Sequence, residues 1–200
     1  MMNNITQEEI ILEDERVLLR PLLAADLERL LPFALNEADI WKYSLVSPAG
    51  EEGMKDYIST TLQNRAAGIE YPFIVFDKQT NSYAGSTRFY DIQENNLTTQ
   101  LGYTWYGKAF QRSGLNRHCK LLLFSFAFEQ WQLERVELRA DANNERSVNA
   151  MKAVGCTVEG ILRSNMSIVA GGRRDSIVLS ILKKEWFGGA KEHLLKKIYS

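Results

Sequence analysis

The stretch Trp105 to Lys120 has the residue types and spacing to hold a phosphorylated ligand. A strand-like run ends in Trp105-Tyr106-Gly107, and Gln111-Arg112-Ser113-Gly114-Leu115-Asn116 leads into a helical pattern. Strand, small-residue turn and helix together aim backbone N–H groups at a phosphate. Gly114 has no Cβ to obstruct close approach. Arg112, Arg117, His118 and Lys120 crowd the first turns, where each cation opposes the helix dipole by ~0.3–1 kcal/mol. A bound anion would offset that cost, and a solvated basic face fits the charge pattern equally well. The spacing is neither that of a P-loop nor that of a Rossmann glycine motif.

A second candidate pair is Asn144 and Ser147, at the start of a short helical pattern with Ala150, Met151 and Val154 and a closing Gly155. An asparagine there is an ordinary N-cap. A serine one turn in can back-bond to a carbonyl, or it can offer its hydroxyl to a ligand. Cys119 and Cys156 have no CxxC partner, which suggests a reducing, cytoplasmic setting. No His/Cys/Asp grouping has metal-ligand spacing, so no metal is expected. The four tryptophans, 41, 105, 131 and 186, read as core and rim packing. Trp105 stands apart because it ends a strand next to the phosphate-type loop.

These residues carry a resemblance. Gln111-x-x-Gly114-x-Asn116 resembles the pyrophosphate loop of the GNAT acetyltransferase superfamily. The series Arg135 to Ser147, with Ala150, Gly155, Glu159-Gly160 and Leu162-Arg163, resembles the RimJ/RimL-type branch, whose known members acetylate protein N-termini. Gly172-Arg173-Arg174-Asp175-Ser176, Ser180-Ile181-Leu182 and Glu185-Trp186 are similar to the same branch. The resemblance runs from about Arg16 to Trp186.

The resemblance implies acetyl-CoA as acyl donor and an amine as acceptor; no nucleic acid, membrane or metal partner is expected, and homodimerisation is left open. The amides of Arg112, Ser113, Gly114, Leu115 and Asn116, next to Gln111, would hold the pyrophosphate. The strand Tyr103, Trp105 and Tyr106 would flank the pantetheine arm where it splays from its neighbour. Asn144 matches the asparagine at the pantetheine or acetyl end, and Ser147 the serine that protonates the departing thiolate. The carboxylate base that the branch places near position 166 is missing, since Asn165-Met166 stands there. His118, Asp91, Glu94, Glu159, Tyr103 and Tyr106 are the other titratable groups considered for that role, and Glu159 reads as a partner for an arginine.

The elements needed to position these residues are legible. Arg16–Pro21 reads as a strand. Ala24–Leu35 reads as a helix that Pro32 kinks or splits. A second helix runs from Met54 to about Gly68. Pro72–Asp77, Ser82–Tyr90 and Thr98–Tyr106 form a meander. Helix Ser113–Trp131, strand Val136–Ala140, the short helix at Ser147 and two strands around Ala170-Gly171-Gly172 follow. The order β-α-α-β-β-β-α-β-α-β-β predicts an α/β domain on a mixed, mostly antiparallel sheet flanked by helices. One domain is expected over 1–200, with a core at about 16–186, an acidic segment 1–15 and a basic helical tail 187–200.

Composition excludes several classes. The chain has 24 basic and 25 acidic residues, net charge -1, so no global basic field exists for nucleic acid or an anionic membrane. The first fifteen residues carry five acids and no base, unlike a signal or transit peptide. No apolar run has the length to cross a bilayer. The functional reading is an N-acetyltransferase that works by direct attack of the amine. The alternative is an acyl-CoA-binding sensor with little turnover, which the missing base favours.

Overall fold

A computed structural model describes residues 8–168 and 171–199. Eight strands form one sheet in the order β1-β2-β3-β4-β5-β6-β8-β7. They are β1 (Leu12–Glu13), β2 (Val17–Pro21), β3 (Glu70–Asp77), β4 (Ser82–Gln93), β5 (Thr98–Tyr106), β6 (Arg135–Asp141), β7 (Thr157–Ser167) and β8 (Arg173–Leu182). Only β5 and β6 pair in parallel, and every other pairing is antiparallel. The expected mixed, mostly antiparallel sheet is present.

Helices cover both faces, and strand alternation shows it. On β3, Tyr71, Phe73 and Val75 enter one core, where they meet Leu115, Cys119 and Leu123 of α3 (Leu115–Ser125) and Val148 and Met151 of α4 (Glu145–Ala153). Ile74 points the other way, into a second core with Leu30 and Ala34 of α1 (Leu27–Asn36) and Met54 and Ile58 of α2 (Gly50–Ala66). A strand buried on both faces reads as a continuous apolar run, as Tyr71 to Phe76 does.

Three details differ from the sequence reading. Pro32 does not split α1, which runs unbroken from Leu27 to Asn36 after a 3-10 turn at Ala24–Asp26. The bond Pro32 cannot donate would have gone to Glu28, an exposed residue whose carbonyl can be solvated. The long helix continues past α3 as a π-helical segment, Phe126–Gln130. Within the acidic N-terminal segment, Leu12–Glu13 fold back as β1, and Asp14 Oδ1 holds the turn by accepting from the amides of Arg16 (2.9 Å) and Val17 (2.7 Å). Ile10 and Leu12 thereby enter the first core.

The C-terminal stretch is also packed. Beyond the single turn α5 (Lys183–Glu185), α6 (Lys191–Tyr199) buries Leu194 completely, and Arg117 donates to the Lys197 carbonyl. At the final hairpin Gly171 and Gly172 both take positive φ, and Ala170 lies outside the described residues.

Candidate active site

The site is built where β5 and β6 part. Their pairing consists of Thr98↔Arg135, Thr99↔Val136 and Gln100↔Glu137 and goes no further. Beyond Gln100, β5 stays paired to β4 while β6 stays paired to β8. Leu101–Tyr106 therefore presents an open backbone edge toward a widening gap. A bulge lies just beyond the point of divergence. Ser86 pairs with Trp105 and Arg88 with Gly102, so Tyr103 and Thr104 stand opposite the lone Thr87. Tyr103 takes φ 48°, and the Thr87 and Thr104 hydroxyls meet at 2.7 Å. An extra residue bends the strand that carries it and increases its twist.

At the open end of β5, the chain turns through Gln111–Gly114 into α3. Arg112 (φ 62°) and Gly114 (φ 88°) are left-handed. Among the described residues the amides of Arg112, Ser113, Gly114 and Asn116 have no hydrogen-bond partner, and the Leu115 amide reaches only Ser113 Oγ, at 3.4 Å. A cluster of free amides at a helix start attracts an anion. Gly114 is required for its backbone rather than for space, since a Cβ there would meet nothing within 4 Å.

The cations of the first turns do not all face this loop. Arg117 donates to the Lys197 carbonyl (2.8 Å), and His118 Nδ1 lies 2.8 Å from Asp14 Oδ2, toward the N-terminal hairpin. Lys120 is buried. Of these cations Arg112 is exposed at the loop, and its side chain makes no hydrogen bond or ion pair among the described residues.

Asn144 caps α4, its Oδ1 accepting from the Ser147 amide at 3.1 Å. Ser147 is half-buried, and its hydroxyl makes no hydrogen bond among the described residues, so the back-bonded alternative is not adopted. Arg146 donates to Gln111 Oε1 at 2.5 Å, and Gln111 Nε2 donates to the Tyr106 carbonyl at 3.0 Å. These two bonds bring the α3 loop, the end of β5 and the start of α4 into one neighbourhood.

Other expected site residues use their side chains in packing. The Trp105 indole lies in the second core, with ring centroids 5.6 Å from Phe33 and 5.1 Å from Trp41. Tyr106 is buried and donates from its hydroxyl to Asn116 Oδ1 at 3.2 Å. Tyr106 has its backbone left to offer a ligand, whereas Trp105 also keeps an indole Nε1 buried without a partner among the described residues. The Tyr103 ring lies over the Arg88 guanidinium at 3.7 Å, and Arg88 is ion-paired with Glu70 at 2.5 Å.

Of the groups considered as bases, Glu159 is held by Arg135 and by Ser180 Oγ, and the arginine keeps its carboxyl below the usual range. Asp91 binds Gln93 and Gln100, and Glu94 is exposed. At the expected base position β7 is irregular, with Ser164 at φ 52° and its amide on Asp175 Oδ1 (2.7 Å). Asn165 Oδ1 is buried without a partner among the described residues.

The adjacent Asp14 and Glu15 meet His118, about a hundred residues away in the chain. The His118–Asp14 contact accounts for their grouping. No helix among the described residues is long and apolar enough to cross a membrane.

Sequence reading missed Arg146, Thr87 and Thr104, and it placed Lys120 among the cations at the loop rather than in the interior.

Residues 16–157 match the family described as the acetyltransferase (GNAT) domain. This chain belongs to the GNAT acetyltransferase family. A Bacillus subtilis (strain 168) relative named "Putative ribosomal N-acetyltransferase YdaF" is 27% identical over 181 residues, 88% of this chain and 96% of the relative. The crystal structure of a GCN5-related N-acetyltransferase from Brucella melitensis superposes with a TM-score of 0.87 at 22% identity, covering 96% of this chain and 86% of that one. RimL, a ribosomal L7/L12 α-N-protein acetyltransferase in its apo form, superposes with a TM-score of 0.77 at 18% identity, over 87% and 94% of the two chains. At those identities the two structures speak for the fold. The named relative supports the RimJ/RimL-like placement, and GNAT enzymes as a family take acetyl-CoA as their donor.

Proposed function

We propose that this GNAT N-acetyltransferase moves the acetyl group of acetyl-CoA directly to a primary α-amine, on a protein N-terminus or a small molecule. The observation that carries the proposal is the parting of β5 from β6 after Gln100↔Glu137, with free amides of the 112–116 loop at its open end. Pantetheine fits that gap as an added strand would, pairing with the open edge of β5. Pyrophosphate fits the amides at the start of α3.

In this reading the amine attacks the thioester carbonyl. A β5 amide facing the gap polarises the carbonyl oxygen. The Ser147 hydroxyl, free of protein partners, returns a proton to sulfur, and Asn144 fixes the turn that carries it. No carboxylate stands at 165 or 166 to deprotonate the acceptor. An α-amine, with a pKa of about 7.7–8.0, is already roughly one-tenth neutral at pH 7, whereas a lysine ε-amine near 10.4 is almost wholly charged. The site therefore suits α-amines. The "ribosomal" in one relative's name agrees with a protein N-terminus as acceptor.

The test is an acetyl-CoA turnover screen against peptides and small amines, read by release of free thiol. Turnover with α-amines and little with ε-amines is expected. Tight CoA binding without turnover on any amine would favour the acyl-CoA sensor instead.

A further inference from the structure

Two buried cations flank the bulge, and the reaction above uses neither: Arg88 is ion-paired with Glu70, whereas Lys120 has no carboxylate partner among the described residues. It sits on α3, is 4% exposed, and forms no ion pair among the described residues. Its Nζ donates to Thr104 Oγ1 at 3.3 Å, in the bulge where β5 leaves β6. From α3 it is faced by the Cys119 thiol, and from the link between α4 and β7 by the Cys156 thiol. Its ammonium is thus held beneath the parting strands on the face covered by α3 and α4, the face that also carries Ser147. No carboxylate of the described residues contributes to its electrostatics.

Burying an ammonium with only a hydroxyl for a partner is unfavourable, and a methionine or leucine would fill the same volume without that cost. The arrangement makes physical sense if an anion arrives. The acyl transfer generates one there, since breaking the carbon–sulfur bond leaves its electron pair on sulfur.

We propose that Lys120 is the thiolate-binding residue of the donor pocket, its ammonium pairing with the sulfur of coenzyme A as the acetyl group departs. The acceptor nitrogen forms the new bond to the carbonyl carbon, the carbon–sulfur bond breaks, and the proton lost by the acceptor nitrogen passes to water. Coenzyme A is then left as a thiolate on Lys120, and Ser147 relays the proton that later releases it as thiol. Burial holds Lys120 down to about 8, so it is mostly charged at neutral pH, and a neighbouring thiolate favours that charge further. This inference rests on the reading that the gap between β5 and β6 holds coenzyme A.

The experiment follows the thiolate absorbance of coenzyme A bound to the full chain as a function of pH, in wild type, Lys120→Met and Lys120→Arg. Affinity for desulfo-coenzyme A, which lacks the thiol, is measured alongside. In wild type the bound thiol should ionise about one pH unit or more below its value in Lys120→Met, a tenfold or greater effect. Lys120→Arg should recover part of the shift. Desulfo-coenzyme A should bind wild type and Lys120→Met within about twofold of each other, well inside that tenfold effect. Thr104→Val removes the hydroxyl that holds the ammonium and should reduce the shift without removing the charge. An unchanged thiol pKa in Lys120→Met, or equal weakening of coenzyme A and desulfo-coenzyme A, would overturn the inference. Absence of any coenzyme A binding to wild type would instead overturn the reading of the gap itself.

Discussion

Arg146 on α4 donates to Gln111 Oε1 on the α3 loop at 2.5 Å, joining two helix starts 35 residues apart in the chain. Gln111 in turn holds the Tyr106 carbonyl at the end of β5. One glutamine thus ties the three elements around the proposed donor site, and the loop amides depend on it for their position.

Breaking that tie should loosen the cofactor loop and leave the chemistry intact. In Arg146→Met or Gln111→Ala, KM for acetyl-CoA should rise about fivefold, as expected for a net hydrogen-bond contribution of about 1 kcal/mol. The limiting rate should stay near wild type. Steady-state kinetics in acetyl-CoA check this, and a fall in kcat with KM unchanged would show that the pair acts on the acyl end instead.

Gly114 gives a graded test. Its φ of 88° is left-handed and a Cβ would touch nothing, so the cost of substitution is backbone strain. Gly114→Asn should be tolerated best, Gly114→Ala should lose about 1–2 kcal/mol, and Gly114→Val more. Urea unfolding of the three variants measures the order. Equal losses for asparagine and valine would mean that backbone conformation is not what selects glycine here.

Much of this was legible in sequence, because periodicity reports burial. The 2-residue alternation of Val136, Leu138 and Ala140 and the helical spacing of Leu115, Cys119 and Leu123 both mark residues that reach the core. The Gln111–Asn116 loop was legible because a left-handed glycine at a helix start leaves a local mark. The parting of β5 from β6 was not, because it and the bulge beside it, Tyr103 and Thr104 against Thr87, are set by pairing between strands. Strand β1 was too short for alternation to show. Lys120 looked like a first-turn surface cation, since charge alone does not say which way a helical side chain faces.

Ser147→Ala should lower turnover by on the order of 100-fold, the low end for loss of a general acid. Coenzyme A affinity should be unchanged, because Asn144 still caps the helix through the backbone amide of residue 147. Turnover within a factor of two of wild type, about 0.4 kcal/mol, would make the hydroxyl structural.

Lys120 predicts a pH-dependent stability. Burial lowers its pKa from 10.5 to about 8 in the folded chain. Between those values the unfolded chain binds more protons, so the folded state gains stability as pH rises through that window. Below it both states are charged and the folded state carries the whole burial cost, up to about 3 kcal/mol. Lys120→Met should therefore be more stable than wild type at neutral pH, and its advantage should shrink toward about pH 10. Urea unfolding of both proteins across that range checks the sign, and an advantage constant with pH would contradict it.

The central claim is that the gap between β5 and β6, ending at the 112–116 amides, is a coenzyme A site. Thermal unfolding with and without ligand tests it most directly. At a concentration about 100 times the dissociation constant, coenzyme A should add about 2.7 kcal/mol of stability, raising Tm by roughly 5–10 °C for a chain of this size. ATP and NAD should raise it less, and Gly114→Val should blunt the coenzyme A effect. An unchanged Tm at millimolar coenzyme A would contradict the account.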